Sequence, residues 1–231
     1  MSIPWPPLVK ARLVRRYKRF LADVVMEDGS LETVHTPNTG TMLDCSEPGR
    51  TVYLRESSNS KRKHRHSWVM IDMPDGLVGV DTLLPNKLAR LALLEGAIAG
   101  LPPALSVGGE VPVGRGRLDL MLRSEVGEVW VEVKNCTLVR DGTALFPDAV
   151  TARGARHLEE LAGLVAPGRR AALLVMVQRG GARRFSPADH IDPVWGKSLR
   201  EAKKAGVEIY ARQVDLSPAA ASLGRALEIA L

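Results

Sequence analysis

The periodicity of apolar residues changes once along the chain, after roughly its first third, and this change limits the fold more than any other feature. Before it, apolar and polar residues alternate in short segments that are separated by turns, a pattern typical of β-strands. After it, Leu84, Leu88 and Ala92 recur at helical spacing, and Pro85 occupies a position that suits the first turn of a helix. The sequence therefore predicts two domains, over residues 1–83 and 84–231.

The first domain is predicted to be all-β. Asp28 and Gly29 form its clearest hairpin signal, because this dipeptide supplies the positive φ angles that tight turns require. The predicted strands cover residues 11–15, 20–26, 31–35, 51–55, 68–73 and 77–81. Short antiparallel strands in this number favour a small closed barrel of the oligonucleotide-binding (OB) type, with a β-sandwich as the alternative.

The second domain is predicted to be an α/β domain with a mixed sheet, which makes the whole chain α+β. Thr151 and Gly206 suit the start of one helix and the end of another. Predicted strands cover residues 118–123, 129–135, 171–177 and 207–212, and predicted helices cover residues 152–165 and 194–205, with a last helix beginning at Ser217.

Basic residues are concentrated in two clusters of the first domain, although the net charge of the chain is only +6. Each cluster has neighbouring aromatic residues, which suits a ligand that carries phosphates and stackable bases. An ordinary solvated surface is the alternative for each cluster. The predicted nucleic-acid-binding residues of this domain are Arg15, Arg16, Lys18, Arg19, Lys61, Arg62, Lys63 and Arg65.

The cellular compartment is predicted from what the sequence lacks. Cys45 and Cys136 form no closely spaced pair, so neither a disulfide framework nor a zinc site is expected. The N-terminus has no basic region followed by an apolar stretch, as a signal peptide would, and no apolar run approaches the roughly 20 residues of a membrane helix. We expect a cytoplasmic protein that does not enter membranes.

One segment carries a carboxylate and an amine on the same side of a predicted strand. In residues 129–134 the valines alternate with Trp130, Glu132 and Lys134, so these three side chains share a face. Asp119 lies on the preceding strand, which a turn near Gly127 would bring alongside. On spacing alone, a solvated ion pair between Glu132 and Lys134 is the commoner outcome.

Two features favour a metal-dependent site over that outcome. Both strands have apolar flanks, which predicts a buried location where unpaired charge is costly, and Glu110 adds a carboxylate upstream. Mg²⁺ prefers oxygen ligands and can promote phosphodiester hydrolysis, while a lysine can hold the attacking water or the phosphate.

Several motifs in order give the chain a wider resemblance. The order Asp, then Glu-x-Lys, at residues 119, 132 and 134 is found in the PD-(D/E)xK nuclease superfamily. The motifs at residues 17–24, 37–42, 61–63, 132–134, 146–149 and 153–158 read YKRFLADV, PNTGTM, KRK, EVK, FPDA and RGARHL. In this set the chain resembles the bacterial sugar fermentation stimulation protein A family.

The resemblance implies an OB-like first domain, a restriction-endonuclease-like second domain, and binding of DNA with little sequence preference. It implies that Asp119 and Glu132 are metal ligands for Mg²⁺, with Mn²⁺ as the alternative, and that Lys134 is the catalytic lysine. Glu110 would be an additional acid. Asn135 and Val150 depart from the serine and proline usual at these positions, and cleavage is not implied by resemblance alone.

The predicted helix after Thr151 places Arg153 and His157 one turn apart on the same face. A helix N-terminus beside Arg and His is suited to bind phosphate, so both residues are predicted to contact nucleic acid. The alternative is that Thr151 caps the helix and His157 packs in the core. Asp192 resembles a metal ligand beside His190, but a loop leading into a helix is the favoured interpretation.

Two other functions remain open from the sequence. One is a DNA-binding regulator of sugar-utilisation genes that keeps the nuclease fold without cleavage. The other is a small-molecule enzyme, for which we find no Gly-rich phosphate loop and no nucleophile elbow. The sequence leaves the oligomeric state open.

Overall fold

A six-stranded antiparallel sheet, curled into a barrel, forms the first domain of the computed structural model, which describes residues 1–114, 116–166 and 169–231. The first strand of the chain, β1 (Ser2–Pro4), lies outside this barrel. The barrel strands are β2 (Leu8–Tyr17), β3 (Leu21–Met26), β4 (Leu31–His35), β5 (Thr51–Glu56), β6 (His66–Met73) and β7 (Gly76–Gly79).

The barrel closes because β4 also pairs with β6, where His35 lies opposite Ser67. A register shift after Leu13 in β2 bends the sheet, as bulges do. Inside, the buried side chains of Leu13, Val24 and Trp68 fill the core. All six strands predicted from alternation are present within a few residues of their expected limits.

The second domain contains a seven-stranded sheet, a four-stranded sheet and three helices. Its elements are α1 (Leu84–Leu94), β8 (Ser106–Val113), β9 (Gly116–Ser124), β10 (Gly127–Cys136), β11 (Leu138–Arg140), β12 (Thr143–Phe146), α2 (Ala152–Leu164), β13 (Arg169–Val177), β14 (Arg184–Pro187), α3 (Pro193–Lys204), β15 (Glu208–Leu216), β16 (Ala220–Ala226) and β17 (Glu228–Ile229). No helix in the described ranges has the length and apolar character needed to cross a membrane.

The larger sheet has the order β1-β16-β15-β13-β10-β9-β8, with β10, β13 and β15 parallel at its centre. Helix α1 packs on one face, where Val129, Val131 and Val133 of β10 are buried. Helices α2 and α3 pack on the other face, against alternate residues such as Leu173 and Val175 of β13. The mixed α/β architecture predicted from the sequence is confirmed, and β10 has the two faces that alternation predicts.

The N-terminal strand belongs to the second domain's sheet. Ser2, Ile3 and Pro4 pair with Ser222, Ala221 and Ala220 of β16. The chain then enters the barrel at Leu8, leaves it after Gly79 and returns through α1. The predicted first domain, residues 1–83, therefore begins with a strand that lies in the larger sheet.

The helix expected from Ser217 is wrong. The segment is a hairpin in which the Ser217 amide donates to the Ala220 carbonyl at 2.9 Å, and β16 follows antiparallel to β15. Alanine and leucine favour helices, but pairing on both edges of β16 and burial of Ala221 outweigh that weak preference.

The two domains are joined by apolar and polar contacts. Tyr53, Val69 and Met70 of the barrel pack against Leu216 of β15. The Asp148 carboxylate accepts a hydrogen bond from the Met42 amide at 3.0 Å, across the interface. The segment around Met42 is therefore held against the loop that leads into α2.

Candidate active site

Glu132 lies on the face of β10 that is directed toward α2, and its side chain is 2% exposed. Its Oε1 accepts a hydrogen bond from Lys134 Nζ at 2.6 Å and a short one from His157 Nδ1. Its Oε2 has no hydrogen-bond partner within the part of the chain that the structure describes. A buried carboxylate thus keeps one oxygen free, which is uncommon in a folded protein.

Three charged side chains surround the His157 ring. Arg153 Nε donates to His157 Nε2 at 3.3 Å. On the other side of the ring, Nδ1 contacts Glu132 Oε1 and lies 3.4 Å from Lys134 Nζ. Because an ionised carboxylate can only accept, the Nδ1–H of His157 donates to Glu132.

The pKa of Glu132 is set by opposing effects. Burial alone favours the neutral acid, but the hydrogen bond from His157 and the charge of Lys134 outweigh it and hold the pKa below its usual range. Glu132 is therefore ionised at neutral pH, with its negative charge confined between α2 and the sheet.

Asp119 lies in β9 one residue beyond the last pair with β10, which joins Leu120 to Val131. Leu118 packs on the α2 side and Leu120 on the α1 side, so β9 twists at Asp119 instead of alternating regularly. This twist places the Asp119 carboxylate at the opening between the two strands.

The carboxylate of Asp119 accepts one hydrogen bond from α1 and one from β10. Its Oδ1 accepts from Asn86 Nδ2 of α1 and its Oδ2 accepts from the Val133 amide of β10, each at 2.9 Å. Burial, followed by the negative charge of Glu132, raises the pKa of Asp119. Two carboxylates are therefore close enough to repel each other.

These residues fit a divalent cation of the Mg²⁺ type. Each oxygen of Asp119 retains a lone pair, and Glu132 Oε2 is free, so both carboxylates can coordinate. Within the described ranges, no group of three or more His, Cys, Asp and Glu residues is placed to hold a metal. Mg²⁺ is commonly bound by one or two carboxylates together with water and substrate phosphate, which matches this donor set.

Glu110 does not join this cluster. It lies on β8 opposite the twist in β9, with a left-handed φ of 50°. Its side chain is exposed and pairs with Arg117 at 3.3 Å. Of the four residues expected in the site, Asp119, Glu132 and Lys134 lie together. Glu110 lies at the surface.

A cleft between the domains leads to the start of α2. A cavity of about 520 Å³ is lined by Arg16 and Arg19 of the barrel and by residues 146–151 of the second domain. A neighbouring cavity of about 220 Å³ shares Gly40, Phe146 and Asp148 with it and reaches Asn135, next to Lys134. The two cavities therefore adjoin each other, and basic residues line the barrel side of the larger one.

The first basic cluster has different roles for its members. Arg16 donates to the carbonyls of Arg19, Asn38 and Gly40, so its guanidinium supports the loop instead of facing solvent. Arg15 is exposed and pairs with Asp23 at 2.8 Å. The exposed pair Lys18 and Arg19 forms the β2–β3 turn.

The second basic cluster is the loop between β5 and β6. Arg65 pairs with Glu56, and Arg62 donates to Ser67 at 3.1 Å. Lys61 and Lys63 are exposed and have no ion pair to another described residue. The loop therefore keeps two solvated cations, because its ion pair between Arg65 and Glu56 neutralises only part of its positive charge.

The structure distinguishes between the two interpretations of the start of α2, phosphate binding and helix capping. Thr151 caps α2, since its hydroxyl accepts from the Gly154 amide at 3.0 Å. His157 is 4% exposed, so it contacts Glu132 and has little surface with which to reach a phosphate, whereas Arg153 is exposed. Asp192 caps α3 through the Trp195 amide, as a residue leading into a helix would.

Sequence reasoning missed Asn86 and the contact between His157 and Glu132. Asn86 lies in the first turn of α1, far from Asp119 in sequence, and no motif or spacing marks it. The helical spacing of Arg153 and His157 indicated a shared face, but it did not indicate that this face turns toward β10.

Comparisons with known proteins agree with the two domain folds. Residues 14–80 match the family model described as the SfsA N-terminal OB domain, and residues 83–220 match the model described as the sugar fermentation stimulation protein RE domain. Both descriptions agree with the expected OB-like and restriction-endonuclease-like folds.

Relatives and a solved structure cover the whole chain. Sugar fermentation stimulation protein homologs from Geobacter sp. strain M21 and Citrifermentans bemidjiense are 50% and 49% identical to it, each over 100% of both chains. The structure of Pyrococcus furiosus SfsA in complex with Ca²⁺ superposes with a TM-score of 0.90 and 27% identity, over 100% of both chains. The chain belongs to the sugar fermentation stimulation protein family.

Proposed function

We propose that the protein binds DNA with little sequence preference and cleaves its phosphodiester bonds with the help of Mg²⁺, or of Mn²⁺ in its place. One observation carries the proposal. Glu132 keeps a buried, ionised carboxylate with a free oxygen, beside Lys134 and within the electrostatic reach of Asp119. Clustered buried charge of this kind is typical of catalytic sites.

In this proposal Asp119 and Glu132 hold the cation. When bound, the ion would neutralise charge on the scissile phosphate and make water more acidic. The same positive charge would relieve the repulsion that raises the pKa of Asp119. A structure of a family member holds Ca²⁺, which prefers oxygen ligands as Mg²⁺ does.

The remaining residues of the cluster have positioning and electrostatic roles. Lys134 carries the ammonium nearest to Glu132 and can donate to a non-bridging oxygen of the phosphate. His157 holds Glu132 through Oε1, which leaves Oε2, without a hydrogen-bond partner among the described residues, as the coordinating atom. Glu110 has no role in the proposed reaction, since its carboxylate is exposed and paired with Arg117.

The backbone of the DNA would lie along the cleft and the exposed cations of the barrel. Lys18, Arg19, Lys61, Lys63 and Arg153 are exposed and suited to phosphate contacts. Phosphate contacts release counterions, so affinity should fall steeply with salt concentration. A flat salt response would favour the small-molecule enzyme that the sequence left open.

Cleavage of a supercoiled plasmid with Mg²⁺, Mn²⁺ or EDTA tests the catalytic half. We expect cleavage only with a divalent cation, and a loss of at least about a hundredfold in Asp119→Asn and Lys134→Ala. Binding of the same DNA, measured by fluorescence anisotropy, should change little in both variants, because neither residue belongs to the exposed basic surface.

Glu110→Gln serves as the matched control, since it removes a carboxylate of the same region that lies outside the cluster. It should cleave like wild type. Equal cleavage by wild type, Asp119→Asn and Lys134→Ala would exclude this site as the source of the activity.

A DNA-binding regulator without cleavage is the second candidate. It is favoured by the hydrogen bonds that both oxygens of Asp119 accept, one from Asn86 and one from Val133, as a structural carboxylate would. If this alternative holds, the wild-type protein binds DNA with an affinity that falls steeply with salt concentration, but it cleaves no substrate with Mg²⁺ or Mn²⁺. Asp119→Asn would then lower only the stability of the protein.

A further inference from the structure

Phe20 differs from the other aromatic residues of the protein. All the aromatic residues lie in the described ranges, and Phe20 is the only one of them that is exposed, at 46%. The other phenylalanines, the tryptophans and the tyrosines are buried or partly buried in the cores and interfaces. An aromatic ring left in water has apolar area that a ligand can cover.

The turn that carries Phe20 is held rigidly. Lys18 and Arg19 both have left-handed backbone angles, with φ of 48° and 64°. The Arg19 carbonyl accepts from Arg16 at 2.6 Å, and Arg19 Nε donates to the Thr39 carbonyl at 3.0 Å. The Phe20 carbonyl accepts from the Thr36 amide at 2.9 Å. The ring is therefore presented on a fixed turn, which lowers the entropy lost on binding.

The turn also borders the interdomain cleft through one of its residues. Arg19 lines the cavity of about 520 Å³, whose far wall is the segment that ends at Thr151. Lys18 is exposed and precedes Phe20 by two residues. An exposed ring that directly follows two exposed cations, one of which lines the cleft, has the two features with which proteins hold unpaired nucleotides, namely stacking and phosphate attraction.

We propose that the Lys18–Phe20 turn binds an unpaired nucleotide of the substrate, with the Phe20 ring stacked on its base and with Lys18 and Arg19 on the adjacent phosphates. This proposal rests on the proposed function and adds its substrate class, single-stranded DNA or a duplex with a single-stranded segment. Within an intact duplex each base is paired and is covered on both faces by its neighbours, so the ring would have no interior base to stack on.

Binding to four matched ligands tests the proposal. The ligands are a single-stranded oligonucleotide of about 16 nucleotides, near the upper site size of OB domains, the corresponding blunt duplex, an abasic strand of the same length, and the duplex with a short single-stranded end. The variants are Phe20→Ala, Phe20→Tyr and Leu31→Ala. Leu31 is an exposed apolar residue at the opposite end of the β3–β4 hairpin, so its removal is the control.

We expect Phe20→Ala to bind the single strand and the tailed duplex between about fivefold and a hundredfold more weakly than wild type. It should bind the abasic strand as wild type does, since that strand has no base, and the blunt duplex as well, since all of its bases are paired and only the two terminal pairs have an uncovered face. Phe20→Tyr and Leu31→Ala should behave like wild type. Circular dichroism should show all variants folded, because both substituted side chains are exposed.

Two results would overturn the proposal while leaving the proposed function intact. One is unchanged binding of every ligand by Phe20→Ala. The other is an equal loss for the abasic strand, which would assign the effect to phosphate contacts. If wild type binds none of the four ligands at low salt, the proposed function fails as well, and this outcome is distinct from the other two.

Discussion

At the scale of single residues, the arrangement around Glu132 depends on which atom of each side chain is a donor. Arg153 Nε donates to Nε2 of His157, and Nδ1 on the other side of the ring donates to the Glu132 carboxylate, which can only accept. Partners that orient a metal-binding carboxylate in this way commonly change metal affinity or activity by about 10-fold to 100-fold when removed.

We therefore expect His157→Phe to lower the affinity for Mn²⁺ by about 10-fold to 100-fold, because Glu132 loses a donor to Oε1 and can rotate. His157→Asn should retain most of the affinity, since its amide nitrogen can donate from nearly the same place. Calorimetric titration of the folded variants with Mn²⁺ measures both. Equal affinities in His157→Phe and wild type would show that the histidine only fills space.

The sequence predicted some of these residue roles and not others. Alternation along β10 placed Glu132 and Lys134 on one face, because the period of a strand is fixed by its backbone. The approach of Asn86 to Asp119 depends on how α1 lies across the sheet, which no local pattern encodes. The position of Glu110 outside the cluster likewise depends on the twist in β9, and its proximity to Asp119 in sequence does not predict it.

At the scale of elements, one carboxylate joins the beginnings of two helices. Asp192 is buried, caps α3 by accepting from the Trp195 amide at 3.0 Å, and accepts from the Thr151 amide at 2.8 Å. Thr151 is itself the cap of α2. The orientation of α2, which carries His157, is therefore tied to α3 through a single side chain.

Asp192→Ala should lower the free energy of unfolding by about 2–4 kcal/mol, since it removes a helix cap and leaves a half-buried amide without an acceptor. Urea denaturation followed by circular dichroism measures this. Asp189→Ala is the control, because Asp189 lies in the same loop and forms only an exposed ion pair with Arg200, worth less than about 1 kcal/mol. A similar small loss in both variants would contradict the shared cap.

Caps and periodicity explain why most elements could be predicted and one could not. Thr151 and Gly206 mark helix ends through local hydrogen bonding and backbone conformation, which are properties of the sequence itself. The segment from Ser217 has helical composition, but its conformation is decided by pairing with β15 and with β1, which lies more than two hundred residues earlier in the chain.

At the scale of the whole molecule, a buried cation links the two domains. Arg179, which follows β13, is 8% exposed and forms hydrogen bonds of 2.7 and 2.9 Å with Asp75 in the β6–β7 turn. The hydrogen bond from Arg179 lowers the pKa of Asp75 below its ordinary value of 3.8. The folded state therefore holds the ionised form of Asp75 more strongly than the unfolded chain does.

This shift gives a pH dependence of a defined sign. The stabilisation by Asp75 is complete above about pH 4 and is lost as the pH falls through the lowered pKa, because the unfolded chain then takes up the proton first. Asp75→Asn should lower the free energy of unfolding at pH 7 by about 1 kcal/mol, given the exposure of Asp75. The difference from wild type should shrink at pH 3.

Urea titrations of both proteins at pH 7 and pH 3 measure this difference. Asp72→Asn is the control, since Asp72 is an exposed carboxylate of the same hairpin with no ion pair to any described residue. A difference between Asp75→Asn and wild type that stays constant from pH 7 to pH 3 would contradict the linkage.

The pairing of β1 with β16 makes the barrel an insertion within the second domain, attached by two peptide segments instead of one. A domain on a single linker can swivel freely, but one on two linkers can rotate only about the line that joins them. The width of the cleft between the two domains is therefore governed by covalent connectivity as well as by surface contacts. Cutting the chain between β1 and β2 would release that restraint without touching either the basic surface or the carboxylates.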